Sequence, residues 1–214
     1  MKLIPVLFQY IIVFLSAITV SACICACLYQ NSLSGKALYL LAGVLNSVLW
    51  LVTFAFHGFH AGTFLFSLAL SILLTISIID IKTLEIPLPL NLLFFVLGIG
   101  RLALEQGQML SRFAGLIGVA TLLWLVYAIT KGKGIGGGDI KLMAASGLFL
   151  GFAGNLMAFF FGCLYAGVVQ LVRMKWKGAG NRFAMGPYLS AGILTAIWFG
   201  EPVIGWYMDY LAGK

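Results

Sequence analysis

Charge is scarce in this chain. Lys, Arg, Asp and Glu together make up 9% of its 214 residues, and only six residues are acidic. A soluble domain needs about a quarter of its residues charged to face water, so an ordinary globular surface is excluded. Apolar and polar residues do not alternate over stretches of about ten, which excludes a transmembrane barrel. The four cysteines form no metal or disulfide framework: Cys23, Cys25 and Cys27 sit in the first apolar run and Cys163 in another, where they read as small buried residues. Two histidines, His57 and His60, have no acid or thiol beside them in sequence and read as a polar interfacial turn, so no metal site is expected. The formal net charge of +7 is spread over short loops without a continuous basic face, which argues against nucleic acid and for membrane topology.

What remains is apolar residue, 62% of the chain with a mean hydropathy of +1.08. Apolar runs cover 4–29, 37–56, 61–79, 88–104, 113–129, 140–172 and 184–200, most of them close to the roughly 20 residues that cross a bilayer as a helix. The run 140–172 is too long for one upright helix. It is expected to form a short helix to about Leu150, a turn at Gly151-Phe152-Ala153-Gly154 and a return helix over 155–172. The expected class is therefore an all-α, polytopic membrane protein of about eight transmembrane helices, one of them short. It reads as a single membrane-embedded domain over 1–214, with N-terminal helices in 1–60 and both key aspartates in 61–214. Val20-Ser21-Ala22-Cys23 resembles a lipoprotein cleavage box, but the apolar run continues past Cys23, so a retained helix is expected.

Loop charge sets the orientation. With the loops at 30–36, 80–87, 131–141 and 173–182 on one side, that side holds Lys36, Lys82, Lys131, Lys133, Lys141, Arg173, Lys175, Lys177 and Arg182. The other side keeps Lys2, Arg101, Arg112 and Lys214. The excess points the first set to the cytoplasm and puts Asp80 and Asp139 on that face, each at the end of a helix.

An Asp near membrane depth costs about 2.5–3.5 kcal/mol even on the gentler insertion scales, and so marks a functional candidate. Asp139 follows the glycine run Gly134-Ile135-Gly136-Gly137-Gly138. Two nearby carboxylates titrate in separate steps, so that one serves as general base while the other, protonated, serves as general acid for water attack on a peptide bond. The glycines present a backbone unshielded by side chains, with which an extended substrate can pair. The structural alternative is that Asp139 caps a helix beginning at Ile140 and Asp80 pairs with Lys82.

These residues resemble the type IV prepilin peptidases. Gly136-Gly137-Gly138-Asp139-Ile140-Lys141-Leu142 matches the family's Gly-x-Gly-Asp motif, Asp80-Ile81-Lys82 with Ile86-Pro87 matches the first-aspartate motif, and Gly186-Pro187-Tyr188-Leu189 resembles a third segment. The resemblance implies Asp80 and Asp139 as the catalytic pair, with Gly136, Gly137, Gly138, Lys82, Lys141, Pro87, Gly186 and Pro187 about the substrate, and no cofactor. It implies a multi-pass protein of the bacterial inner membrane with its active site facing the cytoplasm. The substrate would be a prepilin or pseudopilin, bound through its short basic leader and its hydrophobic N-terminal helix; membrane lipid is the other partner. Ala184-Met185 replaces the family's Pro-Phe, and only Asn31–Lys36 stands where bifunctional members carry a Cys-x-x-Cys insertion. Peptidase activity without N-methyltransferase activity or S-adenosylmethionine binding is therefore expected. The competing readings are a related Gly-x-Gly-Asp protease with another membrane substrate, and a proton-coupled transporter or scaffold; the latter class usually shows an internal repeat, and none is seen.

Overall fold

In the computed structural model, residues 3–30, 36–132, 134–177 and 183–213 are described. They form α1 (Leu3–Gln30), α2 (Lys36–His57), α3 (Ala61–Thr83), α4 (Leu88–Leu104), a 3-10 turn (Gln106–Gln108), α5 (Met109–Ile129), α6 (Gly137–Lys177) and α7 (Gly186–Leu211). Five of these helices are long and apolar enough to cross a membrane, and Leu88–Leu104 is a shorter apolar helix. The chain is thus a helical, multi-pass membrane protein.

Local chemistry sets the helix ends. His60 caps α3, its Nδ1 accepting the Thr63 N–H at 3.3 Å. The ring of His57 bonds the carbonyl of Ile197 at 2.9 Å. Both histidines thus have structural partners. Pro87 stands just before α4, and Pro187 lies in the first turn of α7, where a missing N–H leaves no helix bond unmade.

α6 is not one rod. Gly151 takes φ 80 and ψ 177, outside any helix, and the chain folds back there. In a continuous helix twelve residues rise about 18 Å, yet Asn155 Nδ2 donates to the Met143 carbonyl at 3.1 Å, and the Ser146 hydroxyl donates to Asn155 Oδ1 at 2.6 Å. The break falls inside the turn expected at 151–154. The first limb, 137–150, reaches only about 21 Å at 1.5 Å per residue, short of the roughly 30 Å of hydrocarbon.

The start of α5 grips this turn. Ser111 Oγ accepts the Phe152 N–H at 3.2 Å. Arg112, 1% exposed, donates to the carbonyls of Leu148 at 3.1 Å and Phe149 at 2.5 Å. Those carbonyls are among the last of the first limb, which lack partners within the helix. Glu105 joins Arg112 to Arg101, whose guanidinium lies 4.3 Å from the Phe66 ring centre. Beyond the turn, backbones touch directly: a side chain at Gly147 would overlap the Gly115 carbonyl, and one at Gly192 would overlap that of Ala158.

The main core joins α3 to α7 through Leu73, Ile76, Phe94, Leu142, Phe149, Leu189 and Ile193. α1 and α2 pack on α3 through smaller clusters and through a buried relay in which Trp50 Nε1 donates to Ser71 Oγ at 2.9 Å and Ser71 donates to Asn46 Oδ1 at 2.6 Å. Three boundaries differ from expectation. α3 continues through Asp80 to Thr83, because nothing before Leu84 interrupts the ladder. Arg173, Lys175 and Lys177 extend α6 instead of forming a loop, while 178–182 and the loop expected at Asn31–Lys36, except for Lys36 itself, lie outside the described residues. The expected C-terminal tail is helical to Leu211, passing through Pro202.

Candidate active site

Asp80 is one turn from the end of α3, and the chain beyond it turns sharply. Leu84 takes a left-handed conformation (φ 57, ψ 28) and its N–H bonds the Asp80 carbonyl at 2.9 Å. This reversal carries Glu85 and Ile86 back over the helix end. Asp139 lies in the first turn of α6, which begins at Gly137 instead of Ile140: the N–H groups of Asp139 and Ile140 both reach the Gly136 carbonyl, at 3.2 and 3.4 Å. Asp139 is therefore the third residue of the helix and not its cap. Gly137 and Gly138, expected in an irregular connector, are helical, and their N–H groups have no acceptor among the described residues. What they offer a substrate is the open donor end of a helix, not an extended edge.

The two segments meet. Asp80, Leu84, Glu85, Ile86, Gly136, Gly137, Gly138 and Asp139 line one cleft of about 340 Å3. Asp80 is 4% and Asp139 9% exposed, so both carboxylates are largely withdrawn from solvent. Close approach explains two glycines. A Cβ at Gly138 would stand 3.0 Å from the Ile86 Cβ, and one at Gly136 would stand 2.9 Å from Asp139 Oδ2.

α7 supplies a third support. The Gly186 N–H donates to Asp80 Oδ2 at 2.8 Å, and a Cβ on Gly186 would stand 2.7 Å from that oxygen. Gly186 thus contacts the carboxylate itself. Of the other positions expected around a substrate, Lys82 and Lys141 are exposed and outside the cleft lining, and Pro87 and Pro187 serve helix starts. Asp80 has no ion pair with Lys82. Asn91 escaped sequence reasoning. It is buried in the first turns of α4, and its Nδ2 donates to the Gly138 carbonyl at 3.3 Å while its Oδ1 has no partner. An amide inside the apolar run 88–104 was the available signal.

Residues 67–171 match the model of a family described as the type IV leader peptidase family. Among curated proteins, the chain is similar to the prepilin leader peptidase/N-methyltransferase of Bacillus subtilis (strain 168), 34% identical over 151 residues, covering 67% of this chain and 59% of the relative. It is also similar to proteins of the same name from Legionella pneumophila, 29% identical with 85% of this chain and 66% of the relative covered, and from Burkholderia pseudomallei (strain 1026b), 32% identical with 61% and 44% covered. The chain thus spans less than two thirds of the length of these relatives. No solved structure matches it.

Proposed function

Because the chain belongs to the type IV leader peptidase family, we propose that it is an aspartic endopeptidase that removes the short basic leader of type IV prepilins or pseudopilins, with Asp80 and Asp139 as its catalytic pair. The observation that carries the reading is the convergence of these two acids, from helices far apart in sequence, on one cleft beside a helix N-terminus. The matched region, 67–171, contains both.

In this mechanism the ionised carboxylate takes a proton from water as the water oxygen adds to the scissile carbonyl carbon. The protonated partner hydrogen-bonds the carbonyl oxygen. Collapse of the tetrahedral species then breaks the C–N bond as the leaving nitrogen gains a proton. The Gly186 N–H fixes Asp80 through Oδ2 and leaves Oδ1 free to act. The open N–H groups of Gly137 and Gly138 stand where a developing oxyanion would find donors.

The finer topology is part of the same proposal. The break at Gly151 supports reading α6 as two membrane segments, and so about eight in all, within a single domain over 1–214. The excess of Lys and Arg at that end of the helices supports a cleft at the cytoplasmic face of a bacterial inner membrane, with the substrate's hydrophobic helix in the bilayer. N-methyltransferase activity and a cofactor are not part of the reading.

The test is cleavage of a prepilin by the purified protein and by its Asp80→Asn and Asp139→Asn variants, followed by gel mobility. A carboxamide is no base, so both variants are expected to lose cleavage while keeping the wild-type melting profile. Cleavage retained by either variant removes the pair from the mechanism.

A further inference from the structure

The cleft holds a third carboxylate. The chain carries 13 Lys and Arg residues against six acids, yet three of those acids, Asp80, Glu85 and Asp139, line this one space. A cleft of one charge sign inside a protein of the other draws in ions opposite to itself. Asp80 and Asp139 are buried, whereas Glu85 is exposed at the rim.

Glu85 is also held in place. Thr83 Oγ1 accepts the Glu85 N–H at 3.3 Å, and its single proton is shared between the Ile79 carbonyl at 3.0 Å and the Glu85 carbonyl at 3.2 Å. Leu84, between them, takes the left-handed conformation, and its N–H bond to the Asp80 carbonyl at 2.9 Å ties the turn to the end of α3. Among the described residues Glu85 forms no ion pair. The carboxylate is therefore ordered at its backbone, free at its charge, and set at the mouth of the space in which the peptide is cut.

We propose that Glu85 determines specificity by receiving a cationic Lys or Arg side chain of the leader, close to the bond that Asp80 and Asp139 hydrolyse. The assignment rests on the peptidase reading and adds to it the residue that recognises the leader's charge. A basic segment at a membrane surface is also attracted by anionic headgroups; Glu85 and the ionised member of the aspartate pair compete with that surface and draw the leader into the cleft. Glu85 forms its pair before and during the reaction alike, so its contribution falls on KM rather than on kcat.

The experiment compares wild-type protein and Glu85→Gln, reconstituted in phosphatidylcholine nanodiscs to remove lipid charge, on two prepilins: one with its basic leader and one with the leader Lys and Arg residues replaced by Gln. For a rim-exposed pair, Glu85→Gln is expected to lower kcat/KM on the basic leader about two- to fivefold, mainly through KM. It should leave the neutral leader, itself a poorer substrate for wild type, unchanged. Glu85→Asp should keep the preference for the basic leader, and Glu85→Lys should shift it towards the neutral one. Equal losses on both leaders, or no loss on either, overturn the assignment while leaving the peptidase reading intact. If wild type cleaves neither substrate, the peptidase reading itself fails and this assignment with it; if Asp80→Asn cleaves as wild type does, the catalytic pair fails, and with it the placement of Glu85 beside the bond that is cut.

Discussion

Replacing Gly186 by Ala probes the support of Asp80 without touching either aspartate. The new Cβ would stand 2.7 Å from Asp80 Oδ2, where ordinary contact begins at 3.4 Å, so something must move by about 0.7 Å. Asp80 has little room to rotate away. It is 4% exposed, and its own Cβ would lie 3.2 Å from the new methyl. Either the carboxylate swings or the start of α7 retreats, and both outcomes break the 2.8 Å bond from the Gly186 N–H. A hydrogen bond to a charged group contributes about 1.5–3 kcal/mol, and misplacing a catalytic group by about 1 Å costs on the order of 100-fold in rate. Gly186→Ala is therefore expected to lose about 100-fold in kcat for leader cleavage, with a small change in KM and a melting temperature lower by about 3–12 °C. The control lies in the same helix. A Cβ at Gly200 or Gly205 meets nothing within 4 Å, so Ala at either position should leave cleavage unchanged and stabilise α7 by about 0.5–1 kcal/mol. Cleavage by Gly186→Ala at the wild-type rate in gel-resolved time courses, beside unaltered controls, would refute the placement of Asp80.

Two further perturbations test the frame around the cleft. Asn91→Leu removes the bond to the Gly138 carbonyl together with the unpartnered Oδ1; stability should change by less than about 1.5 kcal/mol while kcat falls, and a melting curve beside a cleavage time course separates the two. Arg112→Met strips donors from the Leu148 and Phe149 carbonyls and removes one partner of Glu105. Breaking such a buried charged network costs about 3–5 kcal/mol, to be read as a lower melting temperature, and Arg112→Lys should recover little because a point charge does not reproduce the guanidinium fork.

Much of this molecule follows from residue order alone. Long apolar runs allow no structure but helices in hydrocarbon, since only an internally bonded backbone is tolerated there, and the runs at 61–79, 88–104 and 113–129 lie within α3, α4 and α5. Gly151 was legible as a break because the run around it exceeds one bilayer crossing. Asp80 and Asp139 stood out because carboxylates are rare here and costly at depth. Less legible were the helix ends. Gly137 and Gly138 read as connector because Gly disfavours helices, yet the Gly136 carbonyl and the packing of Ile86 on Gly138 draw them into the first turn of α6.

What only the tertiary structure decided is which distant groups meet. Gly186 and Asp80 lie more than a hundred residues apart, and no local pattern states that a backbone N–H of α7 holds a carboxylate of α3. The same is true of Asn91 on Gly138 and of Arg112 on the end of the first limb of α6. Local preference and hydrophobic length act within a helix and are written in consecutive residues. Contacts between helices depend on rotation, depth and close approach at glycine, which are set by packing over the whole bundle. Composition and motif therefore determined the class of the protein and its two acids, while packing alone decided that those acids share a cleft, that Gly186 secures one of them, and that Glu85 stands at its rim.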